Sequence, residues 1–346
     1  MGLASVLRLT RRNICSLGRM ADHHLSATSI HTVWDRTLPP VLRVRPGDSV
    51  TLDTLDASDG GVARRVVAGE LPAPATLDAL IRADAAPARD GPRGHPLTGP
   101  VFVEGAQPGD ALKIDILDVR PAAWGWTACR PNGIGLLDAA LAEEGLQPYM
   151  HFWDLRVDTH ADFLPGIRLP LAPFPGVIGL APGADGPHPT APPRQVGGNM
   201  DIRQLVAGAT LYLPVEVPGA LLSVGDLHAA QGDGELSGTG IEMAGQITLR
   251  VGVEKDVGLT TPEFVTPTHG GSSSRWHATT GHDPDLMTAA RTALRALLRR
   301  LTARGLSLEQ AYVLSSACVD LKISQVVDAP NYTVSAFLPL DIFVDG

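Results

Sequence analysis

One short segment of the chain holds the densest group of reactive side chains in the sequence. Asp226 and His228 stand two residues apart, so on a β-strand both side chains would project from the same face. A carboxylate and an imidazole in that arrangement suit a zinc-type cation. The same segment continues, among several glycines, with Gln231, Asp233, Glu235 and Glu242. The pattern predicts a polar or metal-binding site at the end of a strand.

A glycine-rich hairpin is the alternative explanation for this segment, because Asp and Gly also serve turn geometry. A turn uses roughly one or two such residues. It accounts neither for His228 nor for the two glutamates that lead into the apolar strand pattern of residues 247–253. We therefore interpret the segment as a functional site.

A second set of candidates lies in the segment Gly197-Gly-Asn-Met-Asp201. Two glycines permit close approach of the backbone to a ligand, and Asn199 and Asp201 would share a face of an extended chain. Asp201 is the third candidate metal ligand, although the N-cap of a short turn explains it nearly as well. Weaker candidates for a place in the site are His31, Asp56 and Glu104.

Composition limits the classes of function. The chain has 346 residues and a net charge of −9 without a basic cluster, which argues against nucleic-acid binding. No apolar run reaches the roughly 18 residues that a membrane-spanning helix needs, so no membrane partner is expected. The 3 cysteines match neither a metal knuckle nor a redox pair, which indicates a reducing, cytoplasmic location.

Several common catalytic motifs are missing from the sequence. It contains no GxSxG elbow, HExxH helix, phosphate-binding loop or dinucleotide fingerprint. A serine amidase that depends on lysine is disfavoured as well, because Lys113, Lys255 and Lys322 all lie outside Gly/Ser-rich stretches. Cys129 lacks the context of a nitrilase-like nucleophile and is interpreted as a structural thiol.

The elements that must position these residues are predicted to be mainly strands. Period-two alternation, together with 37 glycines and 29 prolines, indicates short strands joined by turns. A Pro-Gly-Asp turn precedes such a strand at Pro46 and again at Pro108, which indicates an internal duplication. Segments 72–99 and 173–199 are rich in Pro and are predicted to be long surface loops that meet over one site.

The two ends of the chain differ from this β body. Residues 1–27 are rich in Arg and Leu before Asp22 and are predicted to be a disordered or leader-like extension, so the catalytic domain would span 28–346. Near the other end, Asp285 and the apolar spacing of 286–301 predict a helix whose Leu/Met stripe is core. Ser307 and Gln310 form a capping-box pattern for a second helix.

With these residues in place, the chain resembles the acetamidase/formamidase family. The resemblance runs collinearly from about residue 30 to beyond Val327. The matching phrases are His31-Thr-Val-Trp34, Pro39-Pro-Val-Leu42, Pro46-Gly-Asp48, Leu97-Thr-Gly-Pro-Val-Phe-Val-Glu104-Gly-Ala-Gln-Pro-Gly-Asp110, Gly176-Val-Ile-Gly179, Gly197-Gly-Asn-Met-Asp201, Gly225-Asp-Leu-His-Ala-Ala-Gln-Gly-Asp-Gly-Glu235 and Thr280-Gly-His-Asp-Pro-Asp-Leu-Met287.

The resemblance implies a mainly β fold of sandwich and barrel-like parts with internal duplication, completed here by the C-terminal helix pair. It also implies hydrolysis of a small amide to a carboxylate and ammonia, with a divalent metal ion, expected to be zinc, and a homo-oligomer. On this hypothesis Asp201, Asp226 and His228 bind the metal, and Glu242 or Glu235 is the general base. Asn199, Gln231 and Asp233 are then the candidates for substrate binding.

Two alternatives stay open at this point. A calcium-binding β-sandwich module would use the oxygen-rich loop at Asp233 and Glu235, but such a module needs about 100 to 150 residues, far fewer than this chain has. A family member acting on a larger amide or a lactam is the other alternative. A cupin-like metalloenzyme is disfavoured, because the sequence lacks the His-x-His pair.

Overall fold

The computed structural model of the chain describes residues 20–267 and 275–344. Strands dominate because apolar side chains alternate with polar ones, as in Ser49–Thr54, where every second residue is buried. The strands are β1 (Asp22–Leu25), β2 (Ile30–His31), β3 (Val33–Trp34), β4 (Leu42–Val44), β5 (Ser49–Thr54), β6 (Leu97–Val103), β7 (Ala111–Cys129), β8 (Tyr149–Asp154), β9 (His160–Leu164), β10 (Ile167–Pro170), β11 (Phe174–Gly179), β12 (His188–Pro189), β13 (Gly197–Asn199), β14 (Thr210–Pro214), β15 (Leu222–His228), β16 (Glu242–Glu254), β17 (Glu263–Val265), β18 (Trp276–Asp283), β19 (Asp320–Gln325) and β20 (Tyr332–Pro339). The helices are α1 (Gly61–Val67), α2 (Asp78–Ala83), α3 (Asp138–Glu143), α4 (Leu286–Ala303) and α5 (Leu308–Cys318).

Most strands belong to one mixed sheet of 16 strands. Its main path runs β13-β11-β15-β16-β7-β14-β17-β18-β20-β19, with β6 also paired to β15 and β5 to β16. The path does not return on itself, so the sheet stays open. The predicted mainly β fold with a C-terminal helix pair is confirmed.

The main hydrophobic core is formed by side chains of β5, β7, β14, β15 and β16. Leu52, Ile114, Leu211, Leu227 and Leu249 lie fully buried in it, one from each of these strands. None of the helices in the two described ranges combines the length and the apolar character needed to cross a bilayer.

The Pro-Gly-Asp turn occurs twice with the same geometry. Gly47 and Gly109 have φ angles of 99° and 96°, a left-handed conformation that favours glycine. In each turn the aspartate side chain accepts a hydrogen bond from the backbone N–H three residues earlier, at 2.9 Å in both cases. The turns start β5 and β7, which both pair with β16. The predicted repeat of this turn-and-strand unit is confirmed.

Both C-terminal helices begin where the sequence predicts. The Asp285 side chain accepts a hydrogen bond from the Thr288 N–H, and Ser307 and Gln310 form a reciprocal capping box. The predicted Leu/Met core stripe of α4 is partly wrong, because Met287 is exposed. Alanines form much of the buried face instead, since α4 approaches β18 so closely that a Cβ at Gly281 would lie 2.1 Å from the Ala289 oxygen.

The predicted surface loop at 173–199 is wrong. It contains β11, all of whose residues are buried, and β13 beside it. The apolar side chains Phe174, Val177 and Ile178 pack in the interior and outweigh the turn character of the flanking prolines. Segment 72–99 includes α2 and the start of β6, so it too is only partly a loop.

The predicted boundary of the extension at residue 27 is also wrong. Residues 22–25 form β1, which pairs in parallel with β5, and Leu25 contributes to the main core. The ring nitrogens of His23 and His24 contact Asp48 and Asp53, which lie 25 and 29 residues further along the chain, and these contacts link β1 to the sheet. Residues 1–19 of the predicted extension lie outside the described residues.

We expect Ser307→Ala to lower the free energy of unfolding by about 1 kcal/mol, because the first turn of α5 loses the oxygen that accepts the Gln310 N–H. Urea denaturation measures this change. The matched control is Ser316→Ala at an exposed position inside the same helix, where alanine is the better helix former. Equal stability of the two variants would contradict the assigned cap.

Candidate active site

A buried imidazole forms the centre of the site. His228 ends β15 and lies opposite Glu242, the first residue of β16, so the two side chains meet across the sheet. His228 Nε2 lies 3.1 Å from Glu242 Oε2 and 3.3 Å from Asp226 Oδ1. All three residues are buried. The predicted shared orientation of Asp226 and His228 is therefore observed.

Gln231 fixes the orientation of this imidazole. Its Oε1 lies 2.7 Å from His228 Nδ1, and because a carbonyl oxygen only accepts, Nδ1 carries a proton and donates it. The Gln231 Nε2 group donates to the Asp201 carbonyl oxygen at 2.9 Å. Both ends of the Gln231 amide are thus engaged within the chain. These contacts make Gln231 a positioning residue for His228, and its predicted contact with a substrate stays a prediction.

A second group of carboxylates lies on the Nδ1 side of the ring. Asp201 Oδ1 is 3.8 Å from His228 Nδ1, and Glu235 offers an oxygen that lies within 4.8 Å of a ligand atom of each of these two residues. Asp328, from the connection between β19 and β20, joins them. Burial first, and then the charge of Asp201, raises the pKa of both Glu235 and Asp328 well above the ordinary range.

Three of these acidic residues occupy a backbone conformation that most side chains avoid. Asp201, Asp226 and Glu235 have φ angles of 49°, 52° and 50°. Left-handed backbone of this kind is uncommon outside glycine and costs about 1 to 3 kcal/mol where the surroundings impose it. Its occurrence at three acids of one cluster indicates that the fold holds these side chains in place at some cost in stability.

Two glycines make room for the cluster. A Cβ at Gly176 of β11 would lie 2.7 Å from Asp201 Oδ1 and 2.8 Å from the Asp226 carbonyl oxygen. A Cβ at Gly240 would lie 2.7 Å from His228 Nδ1. Only glycine permits this close packing of backbone against the site.

Charge in the cluster is unbalanced. Burial raises the pKa of Glu242 to about 8, with the Asp226 charge adding to the rise and the His228 charge opposing it. Burial alone would raise the pKa of Asp226, but the charge of His228 is the first of the causes that oppose burial, and the net effect is a lowered pKa. Burial acts against the charge of His228, but Glu242 and Asp226 raise its pKa well above the ordinary value. Several buried carboxyl groups thus share one imidazole as their central cation, which favours a further positive charge.

The donor atoms fit a metal ion. Buried atoms without a hydrogen-bond partner include both carboxylate oxygens of Asp201, Asp226 Oδ1 and His228 Nε2. Among the described residues, two groups of ligand atoms lie within 4.8 Å of one another, namely Asp226/His228/Glu242 and Asp201/His228/Glu235. The trio predicted from the sequence, Asp201, Asp226 and His228, is divided between these groups. Both predicted glutamates lie in the cluster.

The other two predicted substrate-binding residues, Asn199 and Asp233, have different surroundings. Asn199 is buried at the end of β13, and its Oδ1 has no hydrogen-bond partner. Asp233 lies outside both ligand groups, where it accepts a hydrogen bond from Gln204 Nε2 at 3.0 Å. It lines a separate cavity of about 360 Å³ together with Arg203 and Trp276.

The three weaker candidates also lie outside the cluster and have other roles or surroundings. His31 Nδ1 donates to the Val33 oxygen, and its Nε2 accepts from the Ser223 hydroxyl, each at 2.8 Å. Asp56 accepts from Trp126 Nε1 at 2.8 Å and orders the turn before α1. Glu104 is exposed after β6.

Sequence reasoning missed two residues of the site. His95 is not among the candidates that the sequence analysis names, yet its Nε2 lies 3.9 Å from Asp226 Oδ2. The one available signal was its position directly before the phrase Pro96-Leu-Thr-Gly-Pro100. Asp328 carries no local signal, because the residues it joins are distant in the chain.

Comparisons with known proteins agree with this architecture. The chain matches the Acetamidase/Formamidase family over residues 19–189 and 184–345. It is 31% identical to a formamidase from Methylophilus methylotrophus over 91% of this chain and 89% of that protein. It also superposes on the acetamidase from Bacillus halodurans with a TM-score of 0.76 and 33% identity, over 93% of this chain and 98% of that one. For the acetamidase from Yersinia enterocolitica the values are 0.78 and 28%, over 96% of each chain.

We expect Gln231→Leu to weaken Zn²⁺ binding by about 10- to 100-fold, because His228 loses the partner that fixes its tautomer and ring orientation. Competition with a chromogenic chelator measures the affinity. Gln204→Leu is the matched control, since Gln204 bonds Asp233 outside the cluster. An unchanged affinity in the Gln231 variant would contradict the assignment of His228 as a ligand.

Proposed function

We propose a reaction for this chain from the premise that it belongs to the acetamidase/formamidase family and is an amidase. The reaction is hydrolysis of a small aliphatic amide, of the formamide or acetamide type, to a carboxylate and ammonia. The observation that carries the proposal is the buried cluster around His228, in which oxygens of Asp201 and Asp226 and the Nε2 of His228 have no hydrogen-bond partner among the described residues. Its similarity to proteins named formamidase and acetamidase supports the substrate class.

We propose further that Asp226, His228 and Glu242 hold a divalent cation, with zinc the expected ion. Nitrogen and carboxylate oxygen are the donors zinc takes at catalytic sites. Because Gln231 engages Nδ1, Nε2 is the ring nitrogen left for the ion. When bound, such a cation polarises the amide carbonyl and lowers the pKa of a water molecule.

Glu235 is the general base in this proposal. Glu242 lies only 3.1 Å from His228 Nε2 and therefore competes for a ligand position, whereas Glu235 belongs to the other ligand group, with Asp201 and His228. Burial raises the pKa of Glu235 well above the ordinary value, which makes its carboxylate a stronger base once the cluster gains positive charge.

The proton balance of the reaction follows from this assignment. As water adds to the carbonyl carbon, Glu235 accepts one of its protons and a new C–O bond forms. When the C–N bond breaks, Glu235 passes the same proton to the departing nitrogen, and the carboxylic acid that forms releases the second water proton to solvent as it ionises. Asn199, with its unpartnered Oδ1, stays the predicted contact for the amide N–H.

The calcium-module alternative has less support, because Asp233 belongs to neither ligand group among the described residues. A small substrate is favoured by the enclosed site, where the Phe174 ring meets His228 edge-on at 5.3 Å between centroids. The cytoplasmic location and the homo-oligomer stay predictions.

Ammonia release from formamide, acetamide, propionamide, a lactam and an anilide tests the substrate class. We expect turnover of the short amides, loss of that activity after dialysis against a chelator, and recovery on addition of Zn²⁺. Elemental analysis accompanies each sample. Absence of ammonia release from every amide would contradict the proposed reaction. Full activity in protein verified to be metal-free would contradict the proposed role of a cation.

The roles of the two glutamates predict different defects. Glu235→Gln should keep the metal content and lower kcat by roughly 10² to 10⁴, as expected when a general base is removed. Glu242→Gln should lower the metal content. Glu104→Gln, at an exposed position outside the cluster, is the matched control and should change neither quantity. Metal loss in the Glu235 variant, with retention in the Glu242 variant, would exchange the two roles.

A further inference from the structure

The main chain around His95 is held unusually tightly beside the site. The His95 N–H donates to Thr190 Oγ1 at 2.7 Å. A Cβ at Gly94 would lie 2.5 Å from the Thr32 oxygen, and a Cβ at Gly225 would lie 2.3 Å from the Pro96 oxygen. The segment is therefore wedged between neighbouring chain segments and β15, immediately beside Asp226. Such packing fixes where the His95 side chain can point.

The imidazole of His95 lies between the buried cluster and solvent. Its side chain is 21% exposed, compared with 4% for Asp226, whose Oδ2 lies 3.9 Å from His95 Nε2. His95 is therefore the more solvent-accessible of these two side chains.

The surroundings of the ring select one neutral tautomer. His95 Nδ1 is buried without a hydrogen-bond partner. Orphaned buried N–H groups are rarer than under-satisfied acceptors, so the proton is placed on the other nitrogen. Nε2–H then faces the Asp226 carboxylate across 3.9 Å, which exceeds hydrogen-bond length. The result is an N–H group directed at the site with no acceptor at hydrogen-bond distance among the residues that the structure describes.

We propose that His95 is a further catalytic residue, which donates a hydrogen bond from Nε2 to the carbonyl oxygen of the substrate amide. The proposal rests on the amide hydrolysis proposed above. Negative charge develops on that oxygen as water adds to the carbonyl carbon. A donor held in place before the reaction stabilises this charge more than it stabilises the neutral amide, and so it accelerates turnover.

Other histidines of this region cannot serve in the same way. Both ring nitrogens of His31 are engaged, by Val33 and Ser223. His228 Nδ1 is engaged by Gln231, and its Nε2 faces the carboxylates of Asp226 and Glu242. His95 therefore offers a donor that these two lack.

The tautomer can be measured independently of turnover. In ¹⁵N-labelled protein with its metal, we expect the imidazole nitrogen shifts of His95 to show a protonated Nε2 and an unprotonated Nδ1. Acetamide, added as the probe, should shift the Nε2 signal, and the His95→Leu spectrum assigns it. A proton on Nδ1, or a His95 nitrogen shift that does not change at saturating acetamide, would overturn the proposal.

Kinetics with acetamide test the catalytic role. His95→Leu should lower kcat by about 10² to 10³ with KM changed less than threefold, as for loss of an oxyanion donor. His95→Gln keeps an N–H donor and should retain at least tenfold more activity than the leucine variant. His24→Leu, at an exposed site, should match the wild type. Equal losses in the Leu and Gln variants, or a kcat of His95→Leu within threefold of wild type, would overturn the proposal.

Different results would contradict the proposed amide hydrolysis and the proposed role of His95. A wild-type protein that hydrolyses no short amide removes the proposed function, and the nitrogen shifts with acetamide then decide the role of His95 as a carbonyl contact. An active wild type with an indifferent His95→Leu variant keeps the proposed function and removes this residue from it.

Discussion

The contact of one buried imidazole with carboxylates from several elements is the constraint around which the sheet is arranged. Asp226 and His228 share β15, whereas Glu242 reaches the ring from β16 and Asp201 from the segment after β13. Burying so many like charges is unfavourable unless positive charge compensates them. The site therefore needs accurate register between β15 and β16, which pair directly at His228 and Glu242, and β11 lies between β15 and β13 and pairs with both.

Placing the side chains of the site accurately lowers the stability of the folded state locally, and the rest of the fold must compensate for this loss. Left-handed backbone at Asp201, Asp226 and Glu235 is unfavourable, and glycine at Gly176 and Gly240 adds backbone entropy to the unfolded chain. The continuous apolar core beneath β15 and β16 supplies the compensating stability. The unfavourable backbone conformations and the close glycine contacts thus occur in the same small part of the structure, as expected where a fold holds reactive groups in place.

Sequence patterns correctly predicted the features that depend on interactions between residues close together in the chain. The caps of α4 and α5, the repeated turns and the pairing of Asp226 with His228 all depend on residues close together in sequence, and they agree with the structure. Long-range contacts were the failures. His95 and Asp328 reach the site through tertiary packing that no spacing encodes. The buried strand β11 was mistaken for a loop because Pro and Gly can be retained where close packing demands them.

The left-handed conformation of the site acids has an evolutionary consequence. Asn and Gly adopt this conformation at least as readily as Asp, so replacing Asp201 or Asp226 by either would leave the main chain undisturbed. Removing a buried negative charge would also ease the repulsion within the cluster. Descendants of this fold can thus lose their chemistry through a single substitution and still keep their shape, which opens a short route to proteins that retain the architecture for binding alone.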